Sequence, residues 1–123
     1  MIRLALMVGL GGFIGSAARF IVQQLFMKWF PGLSVSGTFV ANILGCLLIG
    51  IFIEQAGRLE KEWLVFLTGG ICGGFTTFSA FALENVTFVQ AGNSNHAFIY
   101  ISLSIILGLG ATYLGVMIGK HLI

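Results

Sequence analysis

Charge is scarce in this chain of 123 residues: only 8% of its side chains are Asp, Glu, Lys or Arg, while 58% are hydrophobic. No soluble domain of this length buries so much apolar surface, so the chain reads as a membrane protein. The few basic residues form no cluster, which sets aside nucleic acid and polybasic lipid docking as partners. Proline occurs once, at Pro31, and cysteine twice, at Cys46 and Cys72, each in the middle of an apolar run. Small buried packing is the plain reading of both thiols, and neither marks a redox compartment. There is no nucleophile beside a base, no metal-ligand spacing and no phosphate loop next to a soluble strand, so nothing points to an enzyme. Linkers, low-complexity tracts and internal repeats are absent too.

What is present is four apolar runs, Leu4 to Met27, Val35 to Ile53, Trp63 to Val89 and Ala97 to Gly119. Each is near or above the ~20 residues that span a bilayer, which predicts an all-α protein with a single transmembrane domain over residues 1–123. Arg3 ahead of the first run resembles the start of a signal peptide, but the run continues past Ala17 and Ala18 and is long enough to span. The connections are short, Trp29 to Ser34, Ala56 to Glu62 and Gln90 to His96, so neighbouring helices are expected to be antiparallel. Arg3, Arg58, Lys61 and Lys120 share one side and Lys28 lies on the other, which leans toward cytoplasmic termini.

The third run carries GGICGGFTTFSAF from Gly69 to Phe81, four glycines and three hydroxyls in a segment otherwise fit for lipid. A broken helix is expected there, at Gly73 to Thr77. Backbone groups freed at bilayer depth cost several kcal/mol each unless protein or an ion satisfies them, so such breaks line sites. Other small residues, in Gly11-x-x-x-Gly15 and Gly115-x-x-x-Gly119, predict close helix crossings.

The polar residues form stripes. Thr38, Asn42 and Gly45 share one face of the second span, and Tyr100, Ser104, Gly108 and Thr112 fall at four-residue steps on the fourth. An interhelical hydrogen bond for Asn42, and back-bonding of Ser and Thr to their own helix, are the structural alternatives to a lined path. Phe78 and Phe81 face the same way after the break, with Asn85 a turn further on. Their ring edges carry the positive end of the aromatic quadrupole and suit an anion that must not be held too long. Arg19 and Glu84 lie inside or near the ends of spans, to be explained by snorkelling, by mutual pairing, or by Arg19 drawing anions into a vestibule.

In GGFIGSAARF at 11–20, GTFVANILGCLLIG at 37–50 and GGFTTFSAFALE at 73–84 the chain resembles the Fluc (CrcB) fluoride channels, with the motifs in family order. The resemblance implies a fluoride-selective channel that lets cytoplasmic fluoride leave the cell, a multi-pass protein of the bacterial inner membrane. It implies an antiparallel, dual-topology homodimer with two pores. Asn42, Phe78, Phe81 and Thr38 then match pore positions, and Tyr100 and Ser104 the polar track of the fourth helix. The backbone carbonyls of Gly73 and Thr76 match those that hold a structural sodium ion at the dimer centre, while the vestibule role of Arg19 rests on its charge alone. Ala80 and Gly108 depart from the family's frequent hydroxyls. The four-to-one charge bias also runs against an antiparallel pair.

A small multidrug-resistance-type exporter, likewise a four-helix dimer, is the competing reading. Such exporters need a membrane carboxylate in the first helix to exchange protons for cationic drugs, whereas the first span here holds only Arg3 and Arg19 as charges.

Overall fold

The computed structural model describes residues 1–32 and 36–122, in which every regular element is helical. Val35, where the sequence starts the second span, and Ser34, at the end of the first connection, lie outside the described residues.

Helix α1 runs over Ile2–Trp29, α2 over Gly37–Ile53 and α6 over Ser94–His121. The third span, Lys61–Gln90, is divided into α3 (Lys61–Val65), a π-helical stretch (Phe66–Cys72), α4 (Gly73–Phe75) and α5 (Phe78–Gln90). Three of these spans are long and apolar enough to cross a membrane, and α2, with 17 residues, is shorter. At ~1.5 Å per residue α2 covers about 25 Å, close to the ~30 Å hydrocarbon core.

Local chemistry sets the ends. Ser36 caps α2, its Oγ accepting the Phe39 N–H at 3.1 Å, as a helix N-terminus requires. Gly92, the sole residue with a left-handed backbone (φ 81°) among those described, follows α5 and lets the Asn93 N–H return to the Phe88 carbonyl at 2.8 Å. That closes the helix and turns the chain straight into α6. Lys120 sits in the last turn of α6, where positive charge complements free carbonyls.

Two close crossings organise the bundle. In one, α2 lies along α6. A Cβ added at Gly115 would collide with the Leu47 carbonyl oxygen, and one at Gly50 with that of Thr112. In the other, α1 lies along the π-helical stretch and α4. There a Cβ on Gly15 would collide with the Ile71 carbonyl oxygen, and one on Gly70 would come within 2.8 Å of the Gly11 Cα. Glycine is required by this backbone-to-backbone approach, the usual way helices associate where lipid removes the hydrophobic drive.

The interior is thin. Buried apolar side chains among the described residues are Ala41, Cys72, Phe75, Ala97 and Tyr100, while large residues such as Phe13, Phe20, Phe78 and Phe98 are exposed. Such a surface calls for an apolar surrounding.

The break is narrower than the sequence suggests. Gly73 has ordinary right-handed helical dihedrals (φ −62°, ψ −41°), and helix persists through Phe75. Only Thr76 (φ −91°, ψ 156°) and Thr77 (φ −149°, ψ 111°) are extended. Two glycines of this segment, Gly70 and Gly74, serve close packing against α1: a Cβ on Gly74 would stand 2.5 Å from the Gly12 carbonyl oxygen, whereas one on Gly73 would meet nothing of α1. The two β-branched threonines tolerate extended backbone well.

Candidate functional site

The break at Thr76–Thr77 removes the i→i+4 partners of four carbonyls, Gly73, Gly74, Phe75 and Thr76. Side chains divert the amides that would have closed the helix. Thr77 N–H, whose helical acceptor would be Gly73, donates to Asn42 Oδ1 at 2.7 Å. Ala80 N–H, whose acceptor would be Thr76, donates to Thr77 Oγ1 at 3.2 Å, which makes Thr77 the N-cap of α5. Among the described residues neither the Gly73 nor the Thr76 carbonyl receives a hydrogen bond from outside its own helical turn. Gly74 is handled differently: Arg19 Nε donates to its carbonyl at 3.1 Å, with Ser16 Oγ at 3.5 Å.

Asn42 therefore grips the break from α2. Its Nδ2 also donates to the Thr77 carbonyl at 3.2 Å, so the amide is paired with both backbone groups of one residue. One Nδ2 hydrogen is left for another acceptor. Beside it a cavity of about 400 Å³ is lined by Asn42, Gly73, Thr76, Phe78, Phe81 and Ser104. Phe78 and Phe81 stand with ring centroids 5.7 Å apart, and Phe78 is 79% exposed, so the cavity opens to the side of the chain. Ser104 Oγ is buried without a hydrogen-bond partner.

Thr38 and Tyr100 are not part of that lining. Thr38 is buried, and Gln23 Nε2 of α1 donates to its Oγ1 at 3.0 Å, which leaves the Thr38 proton free to point elsewhere. Tyr100 meets Phe81 edge-on at 5.1 Å between centroids, and its hydroxyl lies 3.1 Å from Ser36 Oγ. Phe39 and Phe88 also approach Tyr100 edge-on, so the phenol is held from three sides. Of the fourth-helix stripe, Thr112 bonds back to the Gly108 carbonyl at 3.0 Å, as hydroxyls in helices often do. Asn85 likewise bonds back, to Phe81 at 2.9 Å, and its Oδ1 is buried without a partner.

Among the described residues Arg19 pairs with no carboxylate, and the ion pair found there joins Arg3 to Glu62 at 3.7 Å, both near one end of the bundle. The expected alternative of an Arg19–Glu84 pair gives way to a guanidinium bonded to backbone.

Sequence reasoning missed Thr77, Gln23, Ser16 and Ser36. Thr77 was legible as a capping residue ahead of a helical run. Ser16, Arg19 and Gln23 lie three and four apart on one face of α1, a polar stripe in an apolar span.

What this geometry offers chemically is a set of neutral donors and ring edges next to bare carbonyls, with no carboxylate among the described residues that line the cavity. The family model described as "CrcB-like protein, Camphor Resistance (CrcB)" matches residues 6–116. The chain belongs to the CrcB family. A CrcB relative from Flavobacterium psychrophilum, called fluoride-specific ion channel FluC, is 46% identical over 121 residues, covering 94% of this chain and 95% of its own. Proteins of the same name from Azobacteroides pseudotrichonymphae and Clostridium perfringens are each 42% identical, covering 94% and 97% of this chain and 94% and 92% of theirs. These relatives are ion channels, not enzymes, and with its apolar helices this CrcB chain is a multi-pass membrane protein.

Proposed function

We propose that this chain forms a fluoride-selective channel that lets cytoplasmic fluoride leave the cell across the bacterial inner membrane. The observation that carries the reading is the cavity, which gathers Asn42, Phe78, Phe81 and Ser104 beside the break. Fluoride is small and strongly hydrated, so a narrow path must replace its water hydrogen bonds without trapping the ion. The free Nδ2 hydrogen of Asn42, the unpaired Ser104 hydroxyl and the edges of Phe78 and Phe81 supply weak, neutral replacements. Thr38, with its oxygen already accepting from Gln23, and Tyr100, packed edge-on against Phe81, continue the same chemistry toward the end of the bundle. The charge on Arg19, which no acid compensates among the described residues, favours anions in the approach.

The functional unit in this reading is an antiparallel, dual-topology homodimer. Its support is the exposed Phe78 on the open side of the cavity and the exposure of Gly73 on the same side. The carbonyls of Gly73 and Thr76 fit a sodium ion because they are neutral oxygens without a donor, and two from each copy make four. Such an ion would satisfy backbone that is otherwise unpaired at bilayer depth. The residues of this chain keep those oxygens available: Asn42 holds the Thr77 amide and Thr77 holds the Ala80 amide.

The test is a fluoride-electrode efflux assay on purified protein in liposomes, repeated with chloride. Rapid fluoride loss with little chloride loss is expected; equal rates would overturn selectivity. With sodium equal on both sides flux should persist, and its cessation would make the protein a coupled transporter.

A further inference from the structure

The break must be protected against healing. In an uninterrupted helix the Gly74 carbonyl would accept the Phe78 N–H, and restoring that bond would draw α4 and α5 back into one rod. The Gly74 oxygen is instead held by a side chain from another span: Arg19 Nε donates to it at 3.1 Å, while Ser16 Oγ stands at 3.5 Å, the limit of a bond. The contact is made by Nε, not by the terminal nitrogens that carry most of an arginine's reach. Among the described residues it sits on the one stranded carbonyl from Gly73 to Thr76 that a side chain takes up, and α1 is close enough to deliver it because Gly15 bears no side chain against Ile71 and Gly74 none against Gly12.

We propose that Arg19 is a positioning residue for the break, its Nε keeping the Gly74 carbonyl from the Phe78 amide and so holding the Gly73 and Thr76 carbonyls in their open arrangement. This role is separate from the electrostatic one. The charge acts on an anion at a distance, whereas Nε acts on backbone at bonding distance. The inference rests on the proposed function only for its sodium readout.

The two roles separate by substitution because glutamine places an amide nitrogen at the same point along its side chain as arginine Nε. Lysine keeps the charge but has a methylene at that point. Arg19→Gln therefore preserves the clamp without the charge, and Arg19→Lys the charge without the clamp. Three measurements on full-length protein in liposomes decide it. In a nitrogen–carbonyl solid-state NMR spectrum with carbonyl-labelled glycine and nitrogen-labelled phenylalanine, only Gly12–Phe13 and Gly74–Phe75 give peaks, since no other Gly-Phe pair occurs in the chain. The Gly74 peak should stay in place in Arg19→Gln and move in Arg19→Lys. The sodium concentration for half-maximal fluoride efflux should remain within about twofold of the parent in the glutamine variant and rise about tenfold or more in the lysine variant. Loss of flux that salt screening reproduces should follow the charge instead, appearing in the glutamine variant alone.

A Gly74 peak that moves in the glutamine variant, or stays in place in the lysine variant, overturns the clamp. So does a sodium response that follows charge instead of Nε. Absence of any sodium or fluoride response in the parent protein would instead defeat the proposed function, and the NMR comparison would still decide the role of Arg19.

Discussion

Replacing Asn42 with alanine removes two contacts at once, the 2.7 Å bond from the Thr77 N–H and the 3.2 Å bond to the Thr77 carbonyl. Thr77 is 8% exposed, so water does not readily replace either. A buried backbone group left unpaired costs about 1–3 kcal/mol, which puts an unrelaxed Asn42→Ala chain about 2–6 kcal/mol below the parent. The chain has one way to recover part of this. The Thr77 N–H can return to the Gly73 carbonyl as in an ordinary helix, which restores one bond and withdraws one bare carbonyl from the break. The expected net loss is then about 1–3 kcal/mol, with fluoride flux reduced at least as severely because the site itself has changed. Denaturant titration of the purified protein reads the first quantity, and fluoride-electrode efflux from liposomes the second. Asn42→Asp separates pairing from presence, since it keeps an acceptor for the Thr77 amide, loses the donor to the Thr77 carbonyl and repels an anion. Flux should fall there also. Parent-like stability and flux in Asn42→Ala would refute the account of how the break is held.

Phe78→Ile and Phe81→Ile keep approximate size but remove the polar ring edge, so they should cut flux strongly while the protein remains folded; a well-folded double variant with parent-like efflux would remove both rings from the path. Gly15→Ala drives a methyl into the Ile71 carbonyl oxygen, which has no flexible way to yield, so a stability loss at or above the ~1–3 kcal/mol of ordinary overpacking is expected in denaturant titration. Gly9→Ala, which meets nothing within 4 Å, should be near neutral in the same experiment. Tags on the C-terminus should be found on both faces of the membrane in comparable numbers, and a C-terminus found almost wholly in the cytoplasm would exclude the dual-topology homodimer.

The hydropathy of the chain alone determined that it is helical and lives in lipid, because four runs of this length and so few charges leave no other way to satisfy the backbone. An amide in an apolar run marked Asn42 as needing a partner and spacing put Phe78 and Phe81 on one face, while their assignment to one path came from the family resemblance; the structure brings all three to one cavity. The position of the break was not legible to that precision. Glycine is permissive, so a sequence with Gly69, Gly70, Gly73 and Gly74 is compatible with a wide break or with a close crossing, and only the approach of α1 to within carbon contact decides for the crossing. Nor does the sequence say which carbonyls stay bare. That depends on three bonds, Asn42 to Thr77, Thr77 to Ala80 and Arg19 to Gly74, of which two join residues 35 and 55 positions apart. Local propensity governs where a helix can start and stop, but which hydrogen bonds a broken helix keeps is settled by what the neighbouring spans press against it.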